Sequence, residues 1–168
     1  MKQLHKSNKP IAEEDLFIRW MIRDDFARVL ELEKQIFEFP WSEDELLSCL
    51  KMTRVIGMVI SYQSIDQVIG YMVYELNKDH IVILNLAVES DFQRRNVGSQ
   101  LLKRLMEKLS FHKRSRMTVT VRESNLSAQM FFSAHDFRAT SIIKKSYEEN
   151  DEDAYVMQYT EPFTRVSQ

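Results

Sequence analysis

Two arginines side by side, Arg94 and Arg95, stand just before an amphipathic helix that opens with Val97, Gly98 and Ser99. A helix start carries roughly half an elementary positive charge from its unpaired N–H groups, so cations there are badly placed unless an anion sits among them. Gln93 to Ser99 therefore reads as a phosphate cradle, because backbone amides at the end of a tight loop that runs into a helix N-terminus bind anions. Gly98 lets the backbone come close to such a ligand, and Asn96 is one of the few non-glycine residues that tolerates a left-handed turn. A plain strand-loop-helix connection with solvated arginines fits the same letters.

Other chemistry is poorly supplied. The single cysteine, Cys49, cannot form an internal disulfide and lacks a placeable histidine partner, so it reads as a small buried hydrophobe. His5, His80, His112 and His135 are scattered without metal-ligand spacing, and no metal is expected. Glu148 to Asp153, "EENDED", reads as a solvated loop that could also attract a basic substrate. Lys103, Arg104, Lys108, Lys113, Arg114 and Arg116 read as the wet face of the helix after the cradle. No aromatic ladder accompanies them, which argues against single-strand nucleic-acid binding, and a net charge of -2 gives no global field for DNA.

The elements that must position the cradle follow from periodicity. "LFIRWMI" reads as a strand, and Asp24 to about Phe37 as a helix with Phe26, Val29, Leu30, Leu32 and Ile36 inside and Glu31 and Glu33 outside. Ser42 with Glu45 forms a capping box for a second helix, stapled by Trp41 and Leu46, and Pro40 ends what precedes it. "VIGMVISY", "QVIGYMVYEL" and "HIVILNLAV" read as three strands. The last is apolar on both faces, as suits a central strand covered on both sides. Val97, Leu101, Leu102, Leu105, Met106 and Leu109 make one helix face; then come "RMTVTV" as strand, "NLSAQMFFSAH" as helix, and "FRATSIIKKSY" and "AYVMQYT" as closing strands. The order β-α-α-β-β-β-α-β-α-β-β predicts an α/β (α+β) domain: a mixed sheet of about seven strands with helices on both faces. With 168 residues and 44% apolar content, one domain over 14–162 is expected, with a loose arm at 1–13 and a tail at 163–168. The N-terminus lacks the apolar core of a signal peptide and no run approaches a membrane span, so a cytoplasmic chain without a membrane partner is expected, as a monomer or weak dimer.

Four ordered stretches resemble the GNAT acetyltransferase superfamily, and within it the ribosomal-protein alanine N-acetyltransferases of RimI type. They are Asn85 to Val88, Gln93 to Gly98, Val121 to Asn125 and Glu152 to Ala154, with the "FPW" of Phe39 to Trp41 similar to the family's loop between its first two helices. The likeness runs over about residues 17 to 160. The resemblance implies a GNAT fold and acetyl-coenzyme A as cosubstrate. Its diphosphate would lie in Gln93, Arg94, Arg95, Asn96, Val97, Gly98 and Ser99, its pantetheine arm along Leu86, Ala87 and Val88, and Asn125 would hold it as well as capping a helix. Phe39, Trp41 and Tyr147 would border the acceptor, a protein N-terminus, with a basic ribosomal protein as the family's type of substrate.

The chain departs from the family at two places that matter. The family's general base, a glutamate, falls on Thr120, and its general acid, a tyrosine, on Phe132; the loop's first glycine is Asn96, and the glycine after the later helix is Asp136. A positioned base or acid contributes about 10²–10⁴-fold, so both losses slow the reaction, while binding the two reactants together still supplies on the order of 7–11 kcal/mol. An α-amine with a pKa near ~8 is about a tenth neutral at pH 7, whereas a lysine near ~10.4 is neutral in fewer than about one molecule in a thousand. The expected activity is thus acetyl transfer to a protein N-terminus by direct attack in a ternary complex. A coenzyme-binding module with weak or no catalysis, and an acetyltransferase for small-molecule amines, remain as alternatives.

Overall fold

A computed structural model describes residues 9–112 and 114–162, without the side chains of 110–112. The strands are β1 (Leu16–Trp20), β2 (Val55–Tyr62), β3 (Gln67–Leu76), β4 (His80–Val88), β5 (Arg116–Arg122), β6 (Arg138–Tyr147) and β7 (Glu152–Thr160). The helices are α1 (Phe26–Ile36), α2 (Glu43–Leu50), α3 (Val97–His112) and α4 (Leu126–Ala134). They follow one another in the order the periodicity predicts, and the bounds of β2, β3 and β4 coincide with the three stretches read as strands. One mixed sheet carries the strands in the order β1-β2-β3-β4-β5-β7-β6, which makes β4 the middle strand.

The chain forms two compact units. The first comprises the described residues up to Tyr74 together with Asn85–Met106. Its core gathers Val29 and Leu32 of α1, Leu46 of α2, Val55 and Val59 of β2, Tyr71 and Val73 of β3 and Ala87 of β4, with Trp41 and Cys49 packed against it. Cys49 packs there as a hydrophobe but is half-buried, less covered than the buried residue expected. On β3 the alternate residues Met72 and Tyr74 are as deeply buried as Tyr71 and Val73, so a second layer covers the other face. That layer is α3, whose Leu101, Leu102 and Leu105 are fully buried and whose Arg104 acts electrostatically on the Tyr74 hydroxyl. Strand β1 runs antiparallel to β2, from Leu16 opposite Tyr62 to Trp20 opposite Met58. The Ser42–Glu45 capping box is present in both directions and starts α2 where expected.

The second unit comprises Glu75–Leu84 and the described residues from Glu107 on. Here β4 pairs in parallel with β5, from His80 opposite Arg116 to Ile83 opposite Val119. Met117, Val119 and Val121 of β5 point inward at alternate positions, and β7 pairs antiparallel along all of β5. Phe132 of α4 packs its ring against Phe131 and Phe137, at centroid distances of 5.2 and 5.1 Å. Asp136, where the resemblance expects a glycine, takes a φ of 65°, a left-handed backbone that glycine adopts most easily.

Three expectations need correction. Glu33 is not on the wet side of α1; it is only 2% exposed. Strand β4 is not covered along its whole length, since Leu84 is 36% exposed and Asn85 and Leu86 are half-buried. The segment read as a loose arm is tied down from Lys9 onward: the Ile11 amide donates to the Arg95 carbonyl at 3.1 Å, and Ile11 itself is buried. The tail at 163–168, His5 and Lys113 lie outside the described residues.

Candidate functional site

The cradle is built by a short sequence of backbone choices. After Val88 the chain makes a 3-10 turn, Ser90–Phe92, and then passes through two left-handed residues, Arg94 at φ 59° and Asn96 at φ 72°, before α3 begins. Asparagine at 96 performs the task for which glycine is the default, as the sequence predicts. The first intrahelical bond runs from the Gln100 amide to the Asn96 carbonyl at 3.1 Å, so the amides of Val97, Gly98 and Ser99 face out of the helix end. A tight turn that runs into an open helix N-terminus brings backbone N–H groups together, the kind of arrangement that binds anions.

The two arginines differ in their surroundings. Arg95 lies over the Phe92 ring, 5.5 Å from its centroid, and its Nε donates to the Lys9 carbonyl at 3.2 Å. Arg94 is exposed. The N-terminal strap also reaches α3, where Gln100 and Lys103 both donate to Glu13, at 2.9 and 3.2 Å. Lys103 stays exposed on α3 while it makes this pair, as the wet face read from the sequence requires; Arg114, which donates to the Asn77 carbonyl, and Arg116, paired with Asp79, lie beyond the end of that helix. Gln93 turns back to donate from Nε2 to the Val88 carbonyl at 2.9 Å, which fixes the loop on the end of β4.

On β4, coverage lapses at Leu84, Asn85 and Leu86, directly after Ile83, the last residue paired with β5. Ala87 and Val88 are buried again. Gly70 of β3 lies so close to this stretch that a Cβ there would come within 2.9 Å of the Ala87 carbonyl. No side chain larger than hydrogen fits, so the glycine lets β3 press against β4 at this point.

Glu33 forms the polar centre of the first unit. One carboxylate oxygen accepts from the Tyr71 hydroxyl and from the Asn85 side-chain amide, and the other accepts from the Trp41 backbone amide at 2.9 Å. Burial pushes this carboxyl above its ordinary range, against the pull of the Trp41 and Asn85 donors. Trp41 and the 37%-exposed Phe39 belong to the loop between α1 and α2, so Glu33 ties that loop to β4. The sequence reading missed this residue. The signal was present: Val29, Leu32, Glu33 and Ile36 follow i, i+3, i+4, i+7, the spacing of a core face.

In the second unit the Val121–Asn125 and Glu152–Ala154 stretches form one knot. Arg122 pairs with Glu152 at 3.1 Å and with Glu149 at 3.5 Å, Glu152 accepts from the Ser124 amide at 2.7 Å, and the Glu123 amide donates to the Asp153 carbonyl. Hydrogen bonds from Ser124 and Asn150, with Arg122 beside it, pull the Glu152 carboxyl down to about 2. Asp153 is likewise held by Lys144 and the Lys145 amide. The acidic run is therefore not wholly solvated, because two of its carboxylates hold the fold. Tyr147 is half-buried with the Arg122 guanidinium 3.5 Å from its ring centroid. Asn125 caps α4, accepting from the Ala128 amide at 3.0 Å. Thr120 is exposed on the outward side of β5 opposite Val156, and Phe132 is 4% exposed. Glu123 falls beyond the end of β5 and is exposed.

Among the described residues no group of three or more His, Cys, Asp or Glu side chains could hold a metal ion. Among them, too, no helix is long and apolar enough to cross a membrane.

Comparison with known proteins adds to this geometry. A family model described as "Acetyltransferase (GNAT) family" matches residues 17–137. The [ribosomal protein bS18]-alanine N-acetyltransferase of Haemophilus ducreyi is 28% identical over 130 residues, covering 77% of this chain and 88% of that protein. Among solved structures, the ribosomal-protein-S18-alanine N-acetyltransferase from Escherichia coli superposes with a TM-score of 0.78 at 22% identity, over 91% of this chain and 99% of that one. Arabidopsis thaliana Naa50, solved in complex with the bisubstrate analogue CoA-Ac-MVNAL, gives a TM-score of 0.74 at 17% identity, over 87% and 99%. At these identities the two structures speak to the fold.

Proposed function

The chain belongs to the GNAT acetyltransferase family, and on that premise we propose that it transfers an acetyl group from acetyl-coenzyme A to the α-amine of a protein N-terminus. The observation that carries the reading is the left-handed Arg94–Asn96 turn feeding the amide end of α3, beside a β4 strand whose coverage lapses at Leu84–Leu86. A diphosphate fits this turn. Gln93 to Ser99 hold it by backbone amides, with Arg94 adding charge, while Leu86 to Val88 offer strand backbone to the pantetheine amides. Asn125 is a further coenzyme contact besides its role as a cap. Phe39, Trp41 and Tyr147 border the acceptor. The relatives named as acting on ribosomal protein bS18 support a basic ribosomal protein as the acceptor class.

The chemistry asked of this chain is positioning more than proton transfer. The neutral amine attacks the thioester carbonyl directly, a backbone N–H near Val88 meets the developing oxyanion, and the C–S bond then breaks to release coenzyme A as a thiolate, the proton lost from nitrogen passing to it through solvent. Thr120 carries no carboxylate, and Phe132 carries no hydroxyl and is buried. Without a base at 120 the reaction depends on the fraction of amine already neutral, which favours an α-amine over a lysine side chain by about two hundredfold. Rates on an alanine-led peptide and on a lysine peptide with a blocked N-terminus test this. The first is expected to react faster; equal or lysine-favouring rates contradict the reading. The two missing groups favour one other outcome, a module that binds coenzyme and transfers nothing across a broad panel of peptides and amines.

A further inference from the structure

We propose that Glu33 is a positioning residue for acetyl transfer: its carboxylate sets the acceptor-bordering loop against the strand that carries the thioester. The inference rests on the function proposed above and adds to it a residue to which no role is assigned. Three facts carry it. Glu33 is 2% exposed, so it cannot itself meet a substrate amine. Its partners are not an arginine or lysine; they are three neutral donors on three different segments, Trp41 N–H, Tyr71 O–H and Asn85 N–H. Two of those segments are functional by the reading above, since Trp41 borders the acceptor and Asn85 immediately precedes Leu86–Val88.

A buried carboxylate without a cation is an expensive way to join a loop to a sheet, because burial disfavours the charge and three donors only partly offset the cost. Apolar packing would suffice for stability alone, and Leu32 and Ile36 on the same helix already supply it. What the carboxylate adds is direction. Its two oxygens fix the Trp41 amide on one side and the Asn85 amide on the other, so the distance between acceptor loop and coenzyme strand is set by one rigid planar group. Misplacing reacting groups by about 1 Å costs on the order of a hundredfold in rate, which is the sensitivity such a spacer would serve.

The test uses the full chain with an alanine-led peptide, acetyl-coenzyme A affinity measured separately by calorimetry, and thermal melting. Glu33→Ala removes both acceptors. It is expected to lower kcat/KM for the peptide by about tenfold to a hundredfold, with coenzyme Kd within about twofold of wild type. Glu33→Gln should recover most of that loss, since its carbonyl can accept from the fixed Trp41 amide while the Asn85 amide turns round to accept from the new NH2. Tyr71→Phe, which removes only the third donor, should leave peptide kinetics near wild type. If Glu33→Ala does not fold, Glu33→Asp keeps the charge but is too short to span from Trp41 to Asn85, and the same loss is expected. Peptide kcat/KM unchanged in a folded Ala or Asp variant overturns the proposal, as does a proportional weakening of coenzyme and peptide together. A wild-type protein that binds coenzyme but acetylates no peptide overturns the functional reading first, and the proposal with it.

Discussion

Asn125 offers a sharp separation of structure from function, because its side chain caps α4 and is also proposed to contact the coenzyme. Its Oδ1 accepts from the Ala128 amide at 3.0 Å and so satisfies one of the orphan donors of α4. That helix has nine residues, too few to be stable without its caps and packing. Asn125→Ala should therefore cost about 1 kcal/mol, which in a chain of this size lowers Tm by about 2–4 °C. Serine caps nearly as well as asparagine, so Asn125→Ser should melt within about 1 °C of wild type. Coenzyme affinity distinguishes the roles. If the side-chain amide also meets the coenzyme, both variants lose affinity, by roughly five- to tenfold for one net hydrogen bond. Differential scanning fluorimetry and calorimetric titration with acetyl-coenzyme A read the two effects independently. An Asn125→Ser protein with both wild-type Tm and wild-type affinity would refute the second role, and an Asn125→Ala protein as stable as wild type would refute the first.

If Thr120 and Phe132 hold the places where the resemblance expects the base and the acid, Thr120→Glu with Phe132→Tyr should raise turnover on an alanine-led peptide by about tenfold or more; no gain would show that the acceptor is placed differently. Phe132→Tyr alone should lower stability to urea by on the order of 1–3 kcal/mol, because its hydroxyl enters a site walled by phenyl rings. Tyr74→Phe should be neutral or stabilising, since the buried Tyr74 hydroxyl finds no hydrogen-bond partner among the described residues; a loss of more than about 1 kcal/mol would contradict that. Glu152, lowered from an ordinary 4.5 to about 2 by its hydrogen bonds, stabilises the fold fully above 4.5, and that contribution is lost as pH falls toward 2. Carboxyl NMR titration should show its midpoint near 2, and an ordinary midpoint would dissolve the Arg122–Glu152 knot.

Much of this protein is legible in its letters, for reasons that differ from place to place. The strands β2 to β4 are written in local apolar runs bounded by polar turns, and the Ser42–Glu45 box acts over three residues, so neither needs the rest of the chain. Asn96 is legible because few residues accept a left-handed backbone. Glu33 is the opposite case: its position in the helical period says core, its charge says surface, and the donors that decide the matter lie 38 and 52 residues away at Tyr71 and Asn85. The anchoring of the strap by Arg95, 86 residues from Lys9, is equally invisible to local pattern. Motifs that look separate in sequence, Val121–Asn125 and Glu152–Ala154, prove to be one set of hydrogen bonds across Arg122, Ser124 and Glu152.

The central claim is that the turn from Gln93 to Ser99 receives the diphosphate of acetyl-coenzyme A. Hydrogen–deuterium exchange across that turn, with and without saturating acetyl-coenzyme A, tests it most directly. Slower exchange of the amides of Asn96 to Ser99, together with a raised melting temperature, is the result this account predicts. Unchanged exchange there, with the melting temperature unmoved, would contradict it.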